Sequence, residues 1–390
     1  MHGEPTAPMA WLLISTALVM LTLPGVALFY GGMVRRKNVL NTMGLPLLAL
    51  ALVSLEWMLG ASVAGMVAGG GGTTERPAAG GSLQLAQHTM AAALALALVA
   101  GGLVERIRFV FFLVFGMLWA ALVYAPIAQW LWGGGWLAGM GSLDFAGGAV
   151  IHISAGVTAL VAALLIGPRK GYGRTEMQPH SLPLAVSGAG LMWVGWCGFS
   201  AGIGLASINT AAGAFVAIQA ATAAGALSWT AAEWIQRDKP TALGTVSGAV
   251  AGLVAISPAA GYVGPLPAIV IGVGAGGFCY MAVNFVKAIL GYDDSLDVFG
   301  MHGVGGTWGM VATGLFASTA VNPDGSDGLF YGYPYQLFAQ LVAVLGVWAF
   351  AAGMTVLLLK VLQSVLSPRV GQEAEVLGLD LAQHGEKGYS

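Results

Sequence analysis

Eleven apolar stretches, each near the roughly 20 residues that a helix needs to cross a bilayer, leave this chain one class of fold. They run over about 9–33, 41–68, 85–104, 109–131, 147–167, 181–201, 207–234, 241–258, 265–288, 298–318 and 334–362. Only 8% of the residues are charged, against about 25% in soluble domains. The expectation is an all-α integral membrane protein, multi-pass in the cell membrane. The net charge of -2 gives no sign of a nucleic-acid partner. Cys197 and Cys279 both sit inside apolar runs and read as packing residues rather than a disulfide. Residues 1–8 hold no Lys or Arg, so no cleavable leader is expected.

The connections set the orientation. Arg35, Arg36 and Lys37 follow the first run, and Arg106 and Arg108 the third. Arg169, Lys170 and Arg174 follow the fifth, Arg237 and Lys239 the seventh. Lys287 ends the ninth, and Lys360, Arg369 and Lys387 come with or after the eleventh. Of the basic residues, Arg76 alone falls on the other side. Because positive charge stays cytoplasmic, the N-terminus is expected outside and the C-terminus inside. The membrane domain is then 1–363. Its halves are about 9–167 and 181–318, with helix eleven at 334–362, and the two five-helix units start on opposite sides, as inverted repeats do. Residues 364–390 are polar and read as a cytoplasmic regulatory tail.

Two histidines, His152 and His302, lie inside the fifth and tenth runs, in glycine-rich segments that each follow an aspartate. Polar groups at membrane depth are costly and normally face an interior path. Two neutral imidazoles can share a proton through Nδ1 and leave their other nitrogens toward a lumen. Each could also just bond a helix carbonyl. Paired intramembrane histidines can also ligate haem, which would make the chain a redox enzyme. Glu56 is a further ionisable residue mid-span, with transport, a subunit contact and a protonated packing role all open.

Several motifs together resemble the ammonium transporter family (Amt/Mep, related to Rh proteins). They are LPGVALFYGGMVRRKNVLN at 23–41, ERIRF at 105–109, WGGGWLAGMGSLDFAGGAVIHISAG at 132–156, GWCGFSAG at 195–202, DDSLDVFGMHGVGG at 293–306 and GLDLAQHGEKGY at 378–389. The resemblance implies eleven helices, a homotrimer, one pore per subunit and no cofactor or metal, so no enzyme and no haem. It makes His152 and His302 the twin lumen histidines. It places Trp132, Phe199 and Asp144 at the outer ammonium recruitment site, Asp144 mainly as a helix cap, and it suggests Phe29, Val26 and Val298 as pore lining. It also implies a PII-type regulator docking on the cytoplasmic face. Tyr30 and Trp196 match family positions too, where packing is role enough.

The chain departs from the pattern at the mouth. The family's second stacked phenylalanine is Ala91 here, or Met90 with a one-residue insertion, and its outer serine is Ile203. His88 and Gln87 stand nearby as substitutes. The implied function is ammonium transport: recruitment outside, loss of a proton, and passage of ammonia along an apolar pore, with the proton following or not. An ammonium sensor with an altered mouth and an Rh-like ammonia gas channel are the alternatives.

Overall fold

The computed structural model describes residues 7–67, 79–204 and 207–389. Arg76 and most of the connection at 69–81 fall outside them. Among the described residues the chain is helical, with an isolated bridge between Ile107 and Arg369 as its only strand-like pairing. This follows from the solvent. In hydrocarbon no water can satisfy a backbone N–H or C=O, so each segment must satisfy its own.

The first apolar run is α1 (Ala7–Met20) and α2 (Thr22–Met33), interrupted at Leu21. Then come α3 (Val39–Val67) and α4 (Ala79–Leu103). The fourth run is α5 (Phe109–Trp119), a π-helical turn at Ala120–Tyr124 and α6 (Ala125–Leu131), followed by the short α7 (Trp136–Gly139). The fifth begins with a π-helical turn, Gly148–Ile153, and continues as α8 (Ser154–Ile166). The next three are α9 (Leu182–Ile203), α10 (Ile208–Arg237) and α11 (Ala242–Ile256). The ninth is α12 (Pro265–Met281), a π-helical turn and α13 (Lys287–Leu290). The tenth again opens with a π-helical turn, Phe299–Gly303, before α14 (Val304–Phe316), and the eleventh is α15 (Pro334–Gln363). The tail holds α16 (Gln372–Leu377) and α17 (Leu379–His384).

Among the described residues, 9 helices are long and apolar enough to cross a membrane. The two runs that fall short are α11 and the His302 helix. Both are central: Leu253, Val254 and Ile256 of α11 and Met310 and Ala312 of α14 are fully buried. Leucines and isoleucines instead point outward on the outer rods. Leu55, Leu227, Ile235, Leu266 and Leu345 are each at least 64% exposed. That inversion marks a surface made for lipid.

The basic connections converge at one end of the bundle. Glu105, after α4, receives Arg35 at 2.9 Å and Arg169 at 2.6 Å. Arg169 also clamps Asp293 at 2.7 Å, and Arg106 donates to Ser295 at 2.5 Å and to the Asp293 carbonyl at 2.6 Å. Residues following the first, third, fifth and ninth runs thus meet in a single polar knot, the same-side grouping that their charges suggest. Burial opposes ionisation of Glu105, but Arg169 and Arg35 overcome it and hold the carboxyl below its ordinary value. Asp293 is lowered in the same way, its burial outweighed by Arg169 and Arg106. Burial brings Arg106 down to about 10.

The tail straps this end. Asp380 accepts the backbone N–H groups of Leu40 and Asn41 at the start of α3. Lys37 donates to the Glu375 carbonyl at 3.0 Å, and Gln383 accepts Phe109 N–H. Arg369 pairs with Glu375 at 2.8 Å.

Candidate functional site: a histidine pair between two cavities

The two histidines meet. Nδ1 of His302 lies 3.2 Å from Nδ1 of His152, with the rings near parallel at 21°. His152 is fully buried and His302 nearly so. Nitrogens in hydrogen-bond contact leave no room for iron between them, so the pair cannot clasp a haem. One Nδ1–H donates to the other Nδ1. This fixes opposite tautomers and leaves one Nε2 an acceptor and the other a donor. Nε2 of His152 is buried and has no hydrogen-bond partner.

The local sequence explains how the two rings come this close. Both histidines sit in π-helical turns, where widened backbone re-aims a side chain. The helices that carry them touch through glycine. A Cβ on Gly156 would run into the Gly303 backbone, and one on Gly306 would stand 2.6 Å from the Gly148 carbonyl.

Each break is held by an aspartate eight residues upstream. The carboxylate of Asp144 accepts four backbone N–H groups, of Gly147, Gly148, Ala149 and Val150, at 2.6–3.0 Å. These are the orphan donors of a helix start. In the second half the corresponding residue is Asp294, which accepts Phe299 N–H at 2.7 Å. Asp297, the aspartate that the sequence reading set before His302, has another partner: Lys287 Nζ at 2.5 Å. The shared spacing, Asp-x7-His, is visible in the sequence and was the available signal.

A cavity of about 400 Å³ opens above the pair. Trp132, Phe199, Asp144, Ile203, Gln87 and His88 border it together with Tyr262, Asn322 and Asp324. The indole N–H of Trp132 donates to the Asp144 carbonyl at 2.7 Å, which ties the tryptophan to the cap of the His152 helix. The His88 ring lies 5.7 Å from that of Trp132. Of the five mouth substitutes, Gln87, His88 and Ile203 therefore border the cavity. Met90 and Ala91 lie deeper on α4 and do not; Ala91 is wholly buried. Tyr262, Asn322 and Asp324 come from distant loops and carried no sequence signal.

A second cavity, of about 310 Å³, lies on the other side. Phe29, Met33, Leu296 and Met301 give it apolar walls, and Glu233, Arg237 and Asp297 make its rim polar. Phe29 thus borders a cavity. Val26 and Val298 are fully buried and border neither one. Glu56, partly buried on α3 with one carboxylate oxygen lacking a partner, also borders neither.

Contacts link the two cavities through the histidines. Phe199, in the first one, is a turn from Trp196. Trp196 stacks on His152 at 4.9 Å and 12° and anchors its N–H on Ser257 Oγ at 2.9 Å. His152 meets His302, and the residue before it, Met301, walls the second cavity. Trp196 packs, as its place in the sequence suggested, and what it packs on is the histidine pair: one face of His152 rests on it.

A sequence model of the Ammonium Transporter Family matches residues 10–389. The ammonium transporter of Bacillus subtilis (strain 168) is 46% identical over 389 residues, covering 95% of this chain and 96% of that protein. Ammonium transporter Amt1 of Archaeoglobus fulgidus is 43% identical over 390 residues, covering 98% of each. The crystal structure of Candida albicans Mep2 superposes with a TM-score of 0.85 at 34% identity, covering 98% of this chain and 90% of that one.

Proposed function

The chain belongs to the ammonium transporter family and carries ammonium as a multi-pass protein of the cytoplasmic membrane, and we propose that it does so by passing ammonia across the His152–His302 pair. The observation that supports this most directly is the 3.2 Å contact between two buried imidazoles lying between two cavities.

The selection problem is to admit ammonium and refuse potassium, which has the same charge and a similar size. Cation–π attraction at Trp132, worth about 0.5–2 kcal/mol, gathers both. Desolvating an intact ion into a low-dielectric passage costs of order 20 kcal/mol by the idealised Born estimate. Ammonium escapes that cost by shedding a proton, and potassium has none to shed. Ammonium is recruited at Trp132, gives up its proton near Phe199 to the bulk water that the open cavity admits, and crosses as ammonia. Along the pair it finds one acceptor and one donor nitrogen. In this reading Asp144 is a structural cap: its charge is spent on four N–H groups and adds only a background field.

The same reading gives eleven crossings with the N-terminus outside and the tail in the cytoplasm. The halves are inverted repeats, and the Asp-x7-His unit in each supports this. It also gives a homotrimer in lipid, with the tail-strapped face as the docking place for a PII-type regulator.

The test is flux. Proteoliposomes are supplied with ammonium, methylammonium or potassium, and uptake and current are recorded. Ammonium-dependent transport without potassium current is expected, and His152→Ala should abolish it or admit potassium. Unchanged flux and selectivity in that variant would remove the mechanism. Ammonium binding without uptake would leave a sensor, and uptake without current a gas channel.

A further inference from the structure

The outer cavity holds an imidazole that the proposed route does not use. His88 projects from α4, is exposed, and makes no hydrogen bond among the described residues. Its ring neighbour is Trp132, at 5.7 Å and 49°. A cation centred within about 6 Å of an indole is attracted by the ring quadrupole. The aromatic face that would gather ammonium is thus within reach of a side chain that can itself take up a proton and become a cation.

We propose that His88 is a specificity-determining residue of the outer mouth: neutral, it offers ammonium a nitrogen acceptor beside Trp132, and protonated, it takes the indole face itself and repels the arriving cation. The inference rests on the recruitment role of Trp132 proposed above. It makes external protons competitive with ammonium in this chain.

The other ionisable groups around His88 do not supply that switch. Asp144, Asp324 and Tyr262 border the same cavity. Asp144 is occupied by its four N–H donors. Asp324 is exposed on the loop and attracts either cation. From the elements packed on α4, α3 brings Glu56, α2 brings Tyr30, and the π-helical turns before α6 and α8 bring Tyr124 and His152, while α1, α5 and α8 bring none. The helix α9, which reaches the cavity at Phe199, adds Cys197, and neither tyrosine borders the cavity. Glu56 and Cys197 border this cavity nowhere, and His152 lies beyond Phe199.

The experiment compares wild type, His88→Gln and His88→Leu in proteoliposomes, with ammonium titrated at external pH from about 7.5 to about 5.5. In wild type the apparent KM should rise at least about twofold on acidification, with little change in maximal flux. His88→Gln keeps an acceptor without a titrating proton, so its KM should stay flat. His88→Leu should have a raised KM at every pH. Equal pH dependence in wild type and His88→Gln, or none in either, overturns the proposal. Equilibrium binding of methylammonium to the purified protein over the same pH range separates this from failure of the pore route. Absent flux with His88-dependent acid loss of binding keeps the mouth and discards the route. Binding with the same pH profile in all three proteins discards the mouth.

Discussion

The helix breaks that carry His152 and His302 share a plan and differ in their surroundings. Asp144 has all its acceptor capacity taken up by four N–H groups and sits at the outer cavity beneath Trp132. Asp294 takes the N–H of Phe299 with that of Val298 beside it, and its other oxygen is buried without a partner. It lies instead beside the arginine knot, where Lys287 reaches its carbonyl at 2.7 Å. The outer break is therefore held by hydrogen bonds within its own turn. The inner one has fewer such bonds and sits beside the ion pairs that tie distant connections together.

The widest gap between the two ends should appear on breaking the knot. Arg169→Ala leaves Glu105 and Asp293 buried with too little positive charge. That should cost about 5 kcal/mol, seen as the largest fall in thermal unfolding temperature in detergent, or as loss of folded protein. A smaller loss than for any outer-end variant would reverse the comparison.

Asp144→Ala orphans four donors and should cost about 3 kcal/mol, whereas Asp294→Ala should stay within about 1 kcal/mol of wild type. Equal losses by the same melting measurement would show that the two caps are equivalent after all.

The pH dependence of the inner end sharpens the point, because its neighbouring aspartates move in opposite directions. Burial raises Asp294 to about 6, despite Lys287, while Arg169 holds Asp293 below its ordinary value. A raised carboxyl contributes stability below its unfolded value, near 4, and loses it as pH climbs through about 6. A lowered one, such as Asp293 or Glu105, contributes above that unfolded value and loses it as pH falls through the lowered value. Asp294→Asn should therefore gain about 1–2 kcal/mol over wild type near pH 7.5, with the gain gone near pH 4. Melting curves across that range give the sign directly.

The smallest effect belongs to Trp196. Trp196→Leu removes the stack on His152, worth about 1 kcal/mol, and should reduce ammonium flux roughly fivefold while protein yield holds. No change in flux would mean that the histidine pair is held without it.

How much of this was legible depended on range. Apolar run length and alternating charge gave the helices and their common end, because in lipid a backbone has few alternatives. His152, His302, Trp132, Asp144 and Phe199 were readable because each sits in a dense local motif. Trp196 was not, since its neighbour His152 is 44 positions away in the chain and stacking leaves no local pattern. Asp294 was passed over for the nearer Asp297, although the spacing of eight had been there to count. The border of the outer cavity was the hardest to read. Tyr262, Asn322 and Asp324 arrive there only through folding, and whether Ala91 or His88 stood at the mouth depended on the rotation of α4.

The sequence by itself determined the solvent of this protein, its helices and the two imidazoles at its centre, since hydrophobic length and buried imidazoles declare their cost one segment at a time. Only the tertiary structure decided that those imidazoles touch, that a tryptophan supports them and that a third histidine stands against the outer indole. Those relations depend on ångström-scale approach between helices far apart in the chain, set by where glycine lets two backbones meet.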